Sequence, residues 1–265
     1  MTNGFLVVDK QGGMTSHDVV AKARKELNTR KIGHAGTLDP MATGVLVLGV
    51  GDGTRLLQYI TAGVKAYDAT VKLGQLTSTD DKEGEVIAKT EIPTDIPGAF
   101  AKQVGKIMQK PSSVSAIRID GKRAYDLVRE GVEVDIPARE VEVYELKVNE
   151  IRGDEVDISV TCSAGTYIRA IARDCGGHLT ALRRTQVGIF DLSMAGKFLS
   201  VAEVAAKIFT PRNLDLHEAA EMKFGRAIAP SGCAGIVAAI APDGALAALL
   251  EDKDGSAKPI AVFVK

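Results

Sequence analysis

The chain has 265 residues, of which 45% are hydrophobic and 25% charged, with a formal net charge of −1. Those values exclude a fibre and an intrinsically disordered chain, leaving a folded enzyme or binding protein with a sizeable core. An even charge balance gives no global attraction for a polyanion, so contact with nucleic acid would have to rest on local basic patches.

Phe5 to Asp9 reads as a strand, and Thr15-Ser16 predicts the cap of an amphipathic helix carrying Val19, Val20, Ala23 and Leu27 on one face. Gly33 to Thr43 shows no periodicity and is expected as a loop, leading into the buried-strand run VLVLGV and a short helix over Arg55 to Ile60. Tyr67 to Leu73 alternates as a strand, LTSTDDKEG is a polar connection, and Phe100, Val104 and Ile107 have helical spacing. VSAIRI, VEVYELKV and DEVDISVTC predict further strands, with turn chemistry at Asp120-Gly121 and Gly153-Asp154. The fold class expected is mixed α/β of the α+β type, with a largely antiparallel sheet and flanking helices. After Phe198 come Ala-rich helical segments ending near Phe224-Gly225, then short strands joined by Asp-Gly turns. Two units are expected, a catalytic one over 1–210 and a small β-rich one over 211–265.

The stretch most suggestive of chemistry is GHAGTLDPMATGVLVLG, residues 33 to 49. Pro40 fixes its own φ and steers Asp39 away from the helical region, so the backbone that presents this carboxylate is stiff. Gly36 and Gly44 let another molecule approach closely. In isolation an Asp-Pro pair marks only an Asx-type turn, and Arg169 in isolation reads as a surface arginine.

Taken together, GHAGTLDPMATGVL, the preceding DKQGGMTSHDVV, KAYDATVKLGQLTSTDD (65 to 81) and VTCSAGTYIRAIARDCG (160 to 176) resemble, in the same order, the motifs of bacterial tRNA pseudouridine-55 synthases, the TruB family. The resemblance spans residues 1 to 200 or so and implies the pseudouridine synthase fold. It also implies an isomerisation without cofactor: the N1–C1′ bond of a uridine breaks, the base turns, and a C5–C1′ bond forms. Asp39 matches the family's catalytic aspartate, Arg169 the arginine that pairs with it, and Tyr67 the tyrosine that stacks on the target base. Tyr167 matches a second tyrosine of the pocket, His34 a histidine that contacts RNA where bases are flipped out, and Gly36 and Thr37 belong to the same substrate-binding loop. Whether Asp39 attacks the base, attacks C1′ or deprotonates the sugar is open, because a carboxylate can do each. The partner implied is the T-stem-loop of tRNA, with no small-molecule cofactor and no metal, and a monomer is expected. The C-terminal unit resembles a reduced PUA-like RNA-binding domain. QKPSSVSAIRIDG departs from the family's QxPPxYSAxKxxG pattern, although Ser115-Ala116, Gly121 and Tyr125 match.

Candidates for phosphate contacts, none singled out because a basic cluster is more often a solvated face, are three groups: Lys22, Arg24, Lys25, Arg30 and Lys31; Lys110, Arg118, Lys122, Arg123 and Arg129; and Arg183 with Arg184. Competing readings are a uridine glycosylase, which would release free uracil, and a tRNA-folding module with little chemistry. A two-carboxylate glycosidase would need a second acid; Asp9, Asp68 and Asp80 lie near the motifs, but nothing in their spacing establishes such a pair. GVGDG has the wrong spacing for a dinucleotide site, and Cys162, Cys175 and His178 lack a fourth ligand for zinc. Three cysteines without a framework, and an N-terminus without an export signal, predict the cytoplasm; no apolar run approaches the ~20 residues that span a bilayer.

Overall fold

The computed structural model describes residues 3–112, 118–119, 122–123 and 134–264. Among them ten strands form the main sheet: β1 (Gly4–Lys10), β2 (Ile32–His34), β3 (Thr43–Val50), β4 (Lys65–Leu73), β5 (Gly105–Gln109), β6 (Arg139–Arg152), β7 (Glu155–Cys162), β8 (Gly177–Val187), β9 (Phe190–Asp191) and β10 (Phe198–Ser200). Their spatial order is β10-β1-β3-β8-β4-β7-β6-β5, with β2 attached to β3 and β9 to β8. All pairings are antiparallel except that of β8 with β3, which run parallel where Arg183 meets Thr43 and Arg184 meets Gly44.

The sheet is covered on both faces, which explains the unbroken apolar run of β3. Leu46, Leu48 and Val50 join a core with Val19 and Val20 of α1 (Ser16–Glu26) and with Tyr67, Ala69 and Val71 of β4. Val45 and Val47 point the other way, into a second core with Phe5, Val7 and Phe190. Thr15 caps α1 through a capping box with Asp18, and Val19, Val20 and Ala23 are buried as their spacing predicts. The turn at Gly153 has φ +65, a conformation that glycine adopts at little cost, and it joins β6 to β7.

Several local expectations need correction. Gly33 and His34 belong to β2, so the irregular segment is 35–42. The short helix after β3 is a 3-10 turn, Gly51–Leu56, followed by α2 (Leu57–Thr61). Helix α3 (Ile96–Ala101) includes Phe100 but stops short of Ile107: Gly105, at φ +96, redirects the chain, and Ile107 lies in β5 opposite Val141. Within LTSTDDKEG, Thr77 is the last residue of a strand, Gln75–Thr77, that pairs with Val86–Lys89. The turn it encloses is docked on β8, with Leu179 N–H donating to Asp80 O (3.1 Å) and Lys82 N–H to Leu179 O (2.8 Å). Most of VSAIRI, with Asp120-Gly121, Ser115-Ala116, Tyr125 and Arg129, lies outside the described residues; Arg118–Ile119 pairs with Lys122–Arg123.

A second, four-stranded sheet runs in sequence order, β11 (Thr210–Asn213), β12 (Ile236–Ile240), β13 (Leu246–Lys253) and β14 (Ser256–Val262), with α5 (Val201–Ile208) before it and α6 (Leu216–Lys223) after β11. Its Asp243-Gly244 and Asp254-Gly255 turns have positive φ at Gly244 and Gly255. β11 carries Pro211 and sits at an edge, where a missing donor costs little; its polar composition hid it within the helical pattern. Ala238, Leu246 and Leu249 of this sheet share the second core with Phe5 and Val47 of the main sheet, so the two sheets are packed together. Arg55 also stacks on Phe263, 4.2 Å from the ring centroid.

Candidate active site

The loop that carries Asp39 is fixed at almost every residue. Ala35 N–H donates to Val47 O (2.9 Å), and Gly13 N–H to Pro40 O (2.9 Å). Ser16, at the start of α1, accepts from Leu38 N–H (2.9 Å) and donates to Leu38 O (3.2 Å). Lys10, buried at the end of β1, donates to Met14 O (2.6 Å), Gln11 O (3.0 Å) and Pro40 O (3.2 Å). From the other side, Arg184 is only 1% exposed and donates to Val45 O (2.8 Å), Gly36 O (3.1 Å) and Thr37 O (3.4 Å). Gly36 takes φ +94 there, so its carbonyl meets the guanidinium without backbone strain.

Asp39 faces Arg169, the second residue of α4 (Ile168–Asp174). The pair is bidentate: Nε lies 3.0 Å from Oδ2, and Nη2 donates to Oδ1 at 3.2 Å. Arg169 is 4% exposed, whereas Asp39 keeps a third of its side chain open. The remaining Arg169 nitrogen, Nη1, donates to Thr79 O (2.7 Å) and lies 3.5 Å from Asp81 Oδ2. Enclosure pushes the Asp39 carboxyl above the usual carboxylate range, a push that Arg169 opposes and the nearby Asp81 reinforces.

The open side of Asp39 looks into a cleft of about 310 Å³ lined by Gly36, Thr37, Tyr67, Tyr167, Arg169 and Arg184, with Leu182 also in the lining. Tyr67 projects from β4; burial raises its phenol pKa, a rise that the Arg184 guanidinium opposes. Tyr167 caps α4 and exchanges two hydrogen bonds with Gln109, donating N–H to Oε1 (2.8 Å) and accepting from Nε2 at its carbonyl (3.1 Å). Arg139 lies over the Tyr167 ring, 5.3 Å from its centroid. Lys65, also in the lining, is buried with a pKa pushed down to about 8 by burial first and Arg184 second.

Six of the seven residues singled out in the sequence thus meet at one cleft. His34 stands apart on β2, edge-on to His17 with ring centroids 5.7 Å apart. Arg169 is not a surface residue, and the basic pair Arg183-Arg184 is not a phosphate site. Arg184 is spent on backbone carbonyls, and Arg183 forks onto Asp9 (2.8 and 3.1 Å). Lys31 and Lys110 are paired with Asp52 (2.7 Å) and Asp135 (2.6 Å), and Arg24 bonds Ile32 O (3.0 Å). Asp81, Lys10 and Lys65 are the residues that reading missed. The acidic pair in TSTDDKEG was a signal for Asp81; a lysine closing an apolar strand was the only one for Lys10.

Burial raises the Cys162 and Cys175 thiols to about 11 and about 12, so both are inert. Among the described residues no group of three or more His, Cys, Asp or Glu is arranged to hold a metal, and no helix is long and apolar enough to cross a membrane.

Comparison with known proteins agrees along the chain. The family described as TruB family pseudouridylate synthase (N terminal domain) matches residues 24–168, and tRNA Pseudouridine synthase II, C terminal, matches residues 209–264. The tRNA pseudouridine synthase B of Arthrobacter sp. (strain FB24) is 47% identical, covering 99% of this chain and 97% of its own. That of Mycolicibacterium paratuberculosis is 48% identical, covering 98% and 97%. Among solved structures, an H/ACA RNP bound to a substrate RNA containing 2′-deoxyuridine aligns with TM-score 0.71 at 23% identity, over 99% of this chain and 85% of that one. A Cbf5-Nop10-Gar1 complex aligns with TM-score 0.70 at 26% identity, over 99% and 84%. Both share the fold.

Proposed function

This chain belongs to the TruB family of pseudouridylate synthases, and from that premise we propose that it isomerises uridine 55 in the T-loop of tRNA, with Asp39 as the essential carboxylate. It is a tRNA pseudouridine synthase, an intramolecular transferase working without a cofactor. The observation that carries the assignment of the site is the bidentate Asp39–Arg169 pair opening into a cleft about the size of one nucleotide.

A base stacked in the T-loop must be flipped out to reach such a cleft. Tyr67 offers the flat face on which it stacks, and Gly36, Thr37 and Tyr167 form the walls that hold it. His34, outside the cleft, contacts the RNA that the flipped base has left. Arg169 orients the carboxylate and opposes the rise in its pKa, which favours the ionised form of Asp39. When N1–C1′ breaks, the bonding pair leaves with N1; C5 then bonds to C1′, its proton passes to solvent, and N1 takes up a proton from solvent. The enclosed pocket limits capture of C1′ by water, which is what separates this enzyme from a glycosylase. Residues 211–265 act as a PUA-like module that binds RNA, and the enzyme works as a monomer in the cytoplasm.

The test is tritium release from C5 of uridine in an unmodified tRNA transcript, with wild type, Asp39→Asn, and a transcript carrying cytidine at position 55. Release by wild type alone, on the unaltered transcript alone, is expected. Free uracil among the products would establish a glycosylase instead, and tRNA binding with no release would establish a folding module.

A further inference from the structure

Lys65 has no part in the reaction set out above, yet the fold buries its charge. It is 6% exposed at the start of β4, and both of its hydrogen bonds among the described residues go to neutral carbonyls, Thr61 O (2.7 Å) and Gly63 O (2.9 Å). A lysine is seldom buried unless paired with an opposite charge. The charge acting most strongly on this one is of like sign, Arg184. An ammonium has three donors, and one of the three remains available.

Its position gives that donor a use. Lys65 and Tyr67 alternate along one strand, so they project from the same face of the sheet, and both line the cleft. The stem of Lys65 borders the Asp39 loop as well: a Cβ placed on Gly36 would lie 3.9 Å from Lys65 Cε. Four cations, Lys65, Arg139, Arg169 and Arg184, line the cleft against one carboxylate, Asp39, which Arg169 already engages. The pocket is therefore suited to an anion, and the reaction makes one. Heterolysis of N1–C1′ leaves the pair on N1, and the detached uracil carries one negative charge, shared with its carbonyl oxygens, until C5 bonds to C1′; the C5 proton is then lost and N1 takes one up, leaving the product neutral. Asp39 or loss of a sugar proton satisfies C1′ meanwhile.

We propose that Lys65 is a further catalytic residue, whose free N–H donates to a carbonyl oxygen of the detached uracil and holds its charge while the base turns from N1 to C5. The role rests on the pseudouridine synthase reading. Lys65 transfers no proton; Thr61 and Gly63 hold the ammonium still, so the base turns against a fixed charge.

The experiment compares wild type, Lys65→Met and Lys65→Arg by single-turnover tritium release at saturating enzyme and by tRNA affinity in filter binding. Lys65→Met should be slower by on the order of 10²-fold, as for loss of one preorganised donor, with affinity nearly unchanged and Lys65→Arg restoring most of the rate. Weakened affinity with an unchanged saturated rate would make Lys65 a phosphate contact and overturn the proposal, as would a rate equal to wild type. If Lys65→Met fails to fold, the alkaline side of the pH profile decides. Among the described residues, the charged or titratable groups nearest Lys65 are Arg184 on β8, Cys162 on β7 and Tyr67 on β4, with Asp39, Arg139, Tyr167 and Arg169 elsewhere in the lining. The cysteine titrates at about 11, and burial raises the tyrosine above its usual value. A wild-type rate that falls above about pH 8 and persists in Lys65→Arg is expected; identical alkaline limbs would overturn the role. Wild type that releases no tritium would refute the function itself, an outcome distinct from normal release by both wild type and Lys65→Met.

Discussion

Replacing Arg169 by lysine keeps a positive charge beside Asp39 but removes the fork that grips it. The native guanidinium spans both carboxylate oxygens, at 3.0 and 3.2 Å, while its third nitrogen donates to Thr79 O at 2.7 Å and faces Asp81 at 3.5 Å. An ammonium on this backbone reaches one of these acceptors at a time and leaves the others in a buried setting. Charge-assisted hydrogen bonds are worth about 1.5–3 kcal/mol each. If one such bond to Asp39 persists only in the native transition state, the rate falls by on the order of 10²-fold, because about 1.4 kcal/mol is tenfold. The pH dependence has a definite sign. Enclosure raises the Asp39 pKa and Arg169 lowers it, so Arg169→Met should move the rising limb of the rate to higher pH, with Arg169→Lys in between. Stability follows the same linkage: a carboxyl with a raised folded pKa contributes stability below its unfolded pKa, about 4, and that contribution fades as pH rises through the folded pKa. Arg169→Met should therefore melt progressively lower relative to wild type across that window. Single-turnover tritium release over a pH series, with thermal melts on the same samples, measures both. Arg169→Lys running within twofold of wild type on an unmoved profile would refute the reasoning.

Gly44→Ala should destabilise the fold, because Gly44 has φ +103 and a Cβ there would lie 2.1 Å from Arg184 O. Strain plus overpacking of about 3 kcal/mol corresponds to a melting point lower by roughly 6–12 °C for a chain of this size, readable by circular dichroism. Tyr67→Phe should retain most of the rate, whereas Tyr67→Leu should lose about 10- to 100-fold, the worth of one base–aromatic stack; equal losses would locate the contribution in the hydroxyl. Excess chelator should leave the rate on prefolded tRNA unchanged, and loss restored by zinc would contradict this.

Much of the frame was legible because local chemistry and tertiary environment agree. Thr15 with Asp18 makes a capping box wherever the helix is placed, and VLVLGV reads as buried because both faces of β3 are covered. Ile107 was misassigned because apolar spacing alone does not register Gly105, whose positive φ ends the helical course before β5 begins. At the site, Asp39 stood out by its rigid Gly-rich loop. Arg184 did not: a basic pair between strand residues looks solvated unless the carbonyls that will receive it are known, and those lie 139 to 148 positions away. Lys65 escaped for a related reason, since its burial arises only when β8 closes over β4.

The position of β8 also bears on when the enzyme becomes competent. It is made after β4, β6 and β7 yet lies between β3 and β4, so a chain still emerging from the ribosome, with residues before Gly177 released, has a gap in the middle of its sheet. The carbonyls of Gly36 and Thr37 then lack Arg184, and Thr43 and Gly44 at the start of β3 lack their parallel partner. Ala238, Leu246 and Leu249 must follow before the second core is sealed. A chain truncated before Gly177 is therefore expected to lack a working site, because the loop that carries Asp39 loses the guanidinium that holds its carbonyls.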